Sequence, residues 1–227
     1  MQRFIRFAIF LAAVLAAVLV TGRSMARMHR GTDLRWEPRH IRIDEARIAE
    51  IDSAMDLIEP LWWTVETTSP EAYEASLAPF TRAQRLVYAI EMYRAEVDNG
   101  GHGQFYGNSS GIVWRDALAG FEWLGLTELA ENLRASADLL GGDPPLDRWE
   151  REALLQRLKP DFSGITRRFW ELDAQTDVDA VILQYARAHP EAFRFDGMVR
   201  VPASDNVVFR QYIFWFFPSP WVRQERR

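Results

Sequence analysis

The sequence predicts a mainly α protein: a compact, bundle-like helical domain with a short C-terminal β-hairpin and an aromatic tail. Three observations carry this expectation. Apolar side chains recur every three or four residues through most of residues 44–188. Helix caps and Gly/Pro stops separate those runs at short intervals, and strict alternation is confined to residues 193–201. The composition agrees, since 227 residues that are 48% hydrophobic and 26% charged suit one globular domain with appendages.

Residues 1–26 read as a signal peptide or an N-terminal membrane anchor. MQRFIR precedes an uncharged apolar run from Phe7 to Val20, and Thr21-Gly22-Arg23 follows it. A run of 14 residues at ~1.5 Å each reaches about 21 Å, short of a ~30 Å hydrocarbon core, which favours a secretory signal peptide. Cleavage after Gly22 or after Ala26 is chemically acceptable, and an uncleaved anchor through residues 4–20 is the alternative. Arg23, Arg27, Arg30, Arg35, Arg39 and Arg42 follow the run, whereas Arg3 and Arg6 precede it. Positive flanks stay cytoplasmic, so the side of the membrane is open. The expected location is the cell envelope, either tethered to the inner membrane or periplasmic after cleavage.

Residues 27–43 are polar and Arg-rich, with Pro38 barring a regular helix, and read as a linker. The helical domain, residues 44–193, begins with Asp44 as a cap for a helix bearing Ile48, Ile51, Met55 and Ile58, which ends before Pro60. Glu45, Asp52, Asp56 and Glu59 form an acidic stripe beside that apolar face. Such a stripe is either a solvated surface or a row of carboxylates spaced like phosphates. After an aromatic, irregular stretch, Ser69-Pro70 opens a short helix to about Leu77. Thr81 and Gln84 form a capping box for a helix with Leu86, Ile90, Tyr93 and Val97 inward, stopped at Asn99-Gly100-Gly101.

A helix from Gly111 to Leu124 turns Trp114, Ala117, Leu118, Phe121 and Leu124 inward, and another from Thr127 to Leu140 uses Leu129, Leu133, Ala137 and Leu140. Gly141-Gly142-Asp143-Pro144-Pro145 is the plainest break in the chain. Asp147 with Glu150 then caps a helix carrying Trp149, Leu154, Leu155 and Leu158. Thr176 caps a last helix to residue 188 with Val178, Val181, Ile182 and Tyr185 on one side. Residues 194–227 form the extension. Alternation on both sides of Asp196-Gly197 predicts the hairpin, and residues 209–221 hold seven aromatic side chains that either fold over the helical core or lie at an interface.

Composition excludes several functions. The absence of cysteine removes disulfides, thiol nucleophiles and Cys-ligated metals. Five arginines and no acid lie in residues 1–30, so the net charge of −5 leaves −10 on the remainder, which disfavours direct nucleic-acid binding. The four histidines show no metal spacing, no phosphate loop is present, and no cofactor is expected.

The informative segment is the loop between the first two central helices. Asn99, Gly100 and Gly101 supply positive-φ positions for a chain reversal, while Phe105 and Tyr106 plug the gap between helices. Asn108 or Ser109 caps the next helix, and Gln104 and Asn108 satisfy backbone groups of the turn. Beside this structural reading stands a binding one, in which N–H groups at the 109–111 helix start, with His102 nearby, hold an anion or a partner's acidic side chain. The candidate loop is therefore Asp98, Asn99, Gly100, Gly101, His102, Gln104, Phe105, Tyr106, Asn108, Ser109 and Ser110. Its one catalytic reading is an Asp98–His102 acid/base pair.

The same loop carries a resemblance. An acidic-Asn-Gly-Gly helix end, then Gln104-Phe105-Tyr106, then Asn108-Ser109-Ser110-Gly111 at a helix start resembles a bacterial family of domains of unknown function typified by a DNA-mimic protein. The similarity continues through Leu118–Gly125, Phe169-Trp170-Glu171-Leu172 and the 177–188 helix, and covers about residues 80–193. The resemblance implies a protein partner, specifically a DNA-binding protein occupied by acidic side chains that imitate the DNA backbone. The expected function is a non-enzymatic protein-interaction domain, exported or membrane-tethered, with the DNA mimic as its specific version. A small enzyme centred on the 98–110 loop is the remaining alternative.

Overall fold

The computed structural model describes residues 36–203. The N-terminal segment 1–26, linker residues 27–35 and the aromatic tail 209–221 lie outside the described residues. Within them, the chain runs β1 (Trp36–Ile43), α1 (Glu45–Glu50), α2 (Ala54–Leu57), α3 (Glu59–Thr64), α4 (Pro70–Leu77) and α5 (Arg82–Gly107). A 3-10 turn (Ser109–Val113) leads to α6 (Trp114–Trp123), α7 (Thr127–Asp138), α8 (Arg148–Leu158), α9 (Ser163–Gln175) and α10 (Val178–Ala188). A second 3-10 turn (Pro190–Ala192) and β2 (Phe195–Pro202) complete it. The mainly α class holds. Among the described residues no helix is long and apolar enough to cross a membrane. Residues Pro38–Val201 belong to one compact unit.

Helix α5 organises this unit. Its start is the capping box read from sequence: Thr81 Oγ1 accepts from the Gln84 N–H and Gln84 Oε1 from the Thr81 N–H. The Gln84 amide, buried, also donates to the Phe193 carbonyl, and the Thr81 hydroxyl donates to the Ala192 carbonyl, so one cap fastens the start of α5 to the C-terminal end of the domain. Leu86, Val87, Ile90, Tyr93 and Val97 are all buried, and all but Leu86 belong to the common core. Arg85 bonds Glu74 of α4 with two nitrogens and Asp116 of α6 with Nε, and the Tyr73 hydroxyl donates to the same Asp116 at 2.7 Å. Arg94 gathers Glu91, Asp173 of α9 and Asp179 of α10 within 4 Å, and burial raises the Glu91 carboxyl above its ordinary range.

Several sequence expectations change. Residues 44–59 are not one helix. Asp44 does cap α1, but Ile51 turns extended and Ser53 caps α2, whose first N–H, that of Ala54, is bonded by Asp179 from α10 at 2.7 Å. Pro60 opens α3 rather than ending a helix, because a missing N–H costs nothing in a first turn. Residues 36–43, expected as linker, form β1. Pro38 is tolerated on this outer strand, and Ile41 and Ile43 are buried.

The strand pairing expected near the C-terminus is present, but its partners are β1 and β2, running antiparallel. Asp196-Gly197 lies inside β2, with no positive φ at Gly197. Burial of Val199 and Val201 opposite the β1 isoleucines, together with a 2.7 Å contact from His40 to Asp196, outweighs the local turn preference.

Helix α6 is preceded by the 3-10 turn rather than starting at Gly111. Helix α8 turns Arg151 inward and leaves Trp149 71% exposed, so the apolar face expected there is only half used. Helix α9, to which the sequence pattern assigns nothing, buries Thr166, Phe169 and Leu172. Asp177, not Thr176, caps α10 through the Ala180 N–H.

Thr81→Ala removes one cap bond and the tie to Ala192, and is expected to lower stability by about 1–2 kcal/mol. A urea unfolding curve with unchanged slope and a lower midpoint is the expected result.

Candidate functional site

The 98–111 segment is a bent continuation of α5 and not an open loop. Helical dihedrals fail only at Gly100 (φ −155°, ψ 16°) and Gly101 (φ 74°, ψ 179°), after which residues 102–107 resume a helical turn. Of the three residues expected to take positive φ, Gly101 alone does. A Cβ there would meet Thr166 Cγ2 at 3.1 Å, so glycine serves both the turn and the approach of α9.

His102 follows, fully buried. One ring nitrogen, Nε2, lies 2.8 Å from the Tyr93 hydroxyl, and the other, Nδ1, 2.9 Å from Thr166 Oγ1. Burial lowers the imidazole pKa to about 4, which keeps the ring neutral. Asp98, the partner expected for acid/base work, is exposed, and its carboxyl is raised by partial desolvation and by Asp173. Both nitrogens of His102 are engaged elsewhere, so the Asp98–His102 pair does not form.

The aromatic plug is as expected. Phe105 and Tyr106 are fully buried, and Tyr93 makes edge contacts with His102, Phe105, Phe121 and Phe169. The Tyr106 hydroxyl reaches Ser136 of α7 at 2.9 Å.

The polar residues converge on a group that sequence reasoning did not single out. Glu96 accepts from Gln104 Nε2 at 3.1 Å, Asn108 Nδ2 at 2.9 Å and Ser110 Oγ at 2.5 Å. No cation bonds this carboxylate among the described residues; three neutral donors serve it. Asn108 therefore makes no side-chain cap for the 3-10 turn, and Gln104 does not bond the turn backbone. Ser109 instead meets the Thr67 hydroxyl at 3.0 Å. Asn99 and Gly100 remain at the surface.

Backbone groups of the turn are taken by a second residue that was not singled out, Arg151 of α8. Fully buried, its guanidinium donates Nε to the Tyr106 carbonyl (3.0 Å) and Nη2 to that of Asn108 (2.8 Å). Its Nη1 donates to Pro145 (3.0 Å) and Leu146 (2.6 Å). Burial lowers its pKa to about 10, leaving it charged at neutral pH. A Cβ on Gly111 would lie 2.6 Å from the Phe105 carbonyl oxygen and 2.9 Å from Arg151 Nε. Glycine is thus required at that position by close approach. The Gly-Pro-rich break and the Glu96 carboxylate are the only sequence signals that bear on this arrangement.

The acidic stripe is largely neutralised. Glu45 pairs with Arg194 at 3.4 Å, Asp56 with Arg47 at 3.9 Å and Glu59 with Arg39 at 3.3 Å, while Asp52 stands exposed. Desolvation raises the Asp56 carboxyl despite the opposing pull of Arg47. The four residues lie on three short helices and the connection after the first, rather than on one helix face. Among the described residues no cluster of three metal-ligating side chains occurs.

Fold and site define a helical domain with an aromatic core whose motif loop is bonded within the chain and whose acidic outer surface faces outward. Residues 78–189, just under half of the chain, match the family model described as DMP19-like protein. No curated protein and no solved structure matches the chain.

Two outcomes follow from this geometry. Arg151→Met strips four carbonyls of their donor and is expected to cost about 3 kcal/mol, and Arg151→Lys to restore only part, because an ammonium cannot span the same fork; chemical denaturation measures both. The unfolded imidazole titrates at 6.5 and the folded one near 4. Between those pH values the unfolded chain binds the proton that the folded chain refuses, so His102 makes stability fall as pH drops from 6.5 to 4 and has no effect above. The size is up to about 3 kcal/mol. The His102 ring proton shift followed by NMR should stay that of a neutral ring down to about pH 5.

Proposed function

We propose that the domain is a non-enzymatic protein-binding module whose partner is a DNA-binding protein, and that the domain occupies the surface which that partner uses for DNA. The observation that carries this reading is the DMP19-like match over residues 78–189, which points to a DNA-mimic family.

Electrostatics supports the direction. Across residues 36–203, 29 Asp and Glu side chains stand against 17 Arg and Lys, a net of −12. A surface of that sign attracts basic partners and repels nucleic acid. Three of the four stripe carboxylates already hold arginines, so other acidic surface positions, Glu66, Glu71, Glu131 and Asp138 among them, are the better imitators of phosphate. Internal bonding of His102 and Glu96 supports the non-enzymatic side of the reading, because neither offers a free acid or base to a substrate.

The location we propose is the inner membrane, with residues 4–20 as an uncleaved tether and the arginines from Arg23 to Arg42 holding the domain on the cytoplasmic side, where DNA-binding proteins work.

Displacement tests the reading. Proteins from the source cell held on DNA-cellulose at fixed ionic strength are challenged with the chain and with an unrelated acidic protein of equal net charge. The expected outcome is selective release of a DNA-binding protein that then forms a complex with the chain and no longer binds DNA. Equal release by both acidic proteins, or a complex that still binds DNA, overturns it.

A further inference from the structure

Helices α7 and α9 pack side by side and leave a groove of about 330 Å³ between them. Asn132, which is 7% exposed, lines it and donates Nδ2 to the Ile165 carbonyl at 3.1 Å. Its Oδ1 is buried with no hydrogen-bond partner, and it is the one side-chain atom of that kind among the described residues. Turning the amide over does not relieve this, because the oxygen would then face the Ile165 carbonyl, acceptor against acceptor. Buried acceptors in folded proteins are nearly always paired, so this oxygen calls for a donor from outside the chain.

The chemistry around the oxygen narrows the donor. At the mouth, Arg168 is engaged with Glu128 at 2.6 Å and with Glu171 at 3.6 Å. Glu131, exposed on the same rim, has no ion pair among the described residues. An anionic group is therefore repelled and a cation is missing. The walls are Ala135, Ile165 and Leu172, which suit methylene groups, and Gly164 adds no side chain on its side. A long alkyl stem with a charged, hydrogen-bond-donating head fits all three features.

We propose that the α7–α9 groove receives one lysine or arginine side chain of the bound protein. Its stem lies along Ala135, Ile165 and Leu172, its head pairs with Glu131, and a small turn of the Asn132 side chain toward the groove lets the head donate to Oδ1. This rests on the protein-binding reading above and gives it a point of contact, since side chains that otherwise hold DNA phosphates have this chemistry.

The test titrates the isotope-labelled full chain, in detergent, with N-acetyl-arginine amide, N-acetyl-lysine amide and the neutral N-acetyl-citrulline amide, read by NMR. Saturable shifts at the Asn132 side-chain amide and at Glu131, Ala135, Gly164 and Ile165 are expected with either cation and not with citrulline. Glu131→Gln should weaken binding about tenfold. Gly164→Leu should abolish it, and because a Cβ at that position meets nothing within 4 Å, the fold is expected to survive. Shifts equal with citrulline, shifts that never saturate, or shifts that persist in Gly164→Leu overturn the proposal. The two readings separate cleanly. If the chain displaces a protein from DNA-cellulose and both variants displace it equally, the groove assignment fails while the binding reading stands. If the cations saturate the groove and nothing is displaced, the groove stands and the partner class falls.

Discussion

The structure depends on how the turn between α5 and α6 satisfies its polar groups away from water. Among the described residues, a guanidinium with no carboxylate partner and a carboxylate with no cation lie on either side of the same dozen residues, Arg151 bonding backbone carbonyls and Glu96 accepting from side chains. Their direct neutralisation would be the simpler solution. Their separation instead lets each tie a different set of elements: Arg151 joins α8 and the Pro145–Leu146 segment to the turn, and Glu96 joins the end of straight α5 to the residues after its bend. An isolated charge taken out of water is costly, wholly so for buried Arg151 and partly for half-buried Glu96, and dense hydrogen bonding is what makes each tolerable.

The aromatic cluster is the apolar half of the same constraint. The bend at Gly101 swings residues 102–107 against α9 and α7, so that Tyr93 meets Phe105 and Phe169 edge to face, Tyr106 packs tilted on Phe105, and His102 is the polar member. His102 works as a crossbrace between α5 and α9, one nitrogen to Tyr93 and one to Thr166. Its neutrality follows from burial, and that same burial removes it from any surface chemistry. A motif dense in polar residues thus bonds largely within the chain, and on the proposed reading recognition falls to the outer faces of the helices it holds.

On those faces charge is sorted rather than merely abundant. Where arginines come close in space, as along α1 to α3, carboxylates are matched and the field is weak. Where a carboxylate is left without a cation beside a buried, unbonded acceptor, as between α7 and α9, the surface is complementary to a basic side chain. Net charge alone gives attraction to basic partners; the local arrangement decides where such a partner is held.

Local chemistry written in the sequence determined the helical class, the Ser69-Pro70 start, the Thr81–Gln84 box and the burial of Phe105 and Tyr106, while the stop expected at Asn99-Gly100-Gly101 is a bend within α5. Caps, stops and apolar periods act between residues a few positions apart, and the residues from Asp98 to Gly111 also carried the resemblance that the 78–189 match bears out in its coarse form. Tertiary structure alone decided what depends on distant partners. Asp179 helps start α2 by bonding the Ala54 N–H, β2 finds β1 instead of folding on Asp196-Gly197, and Arg151 takes an inward position that leaves Trp149 outside. Glu96 and Thr166 gain their roles the same way, because a buried polar group is placed by whichever donor or acceptor the packed helices bring to it, and no spacing along the chain records that encounter.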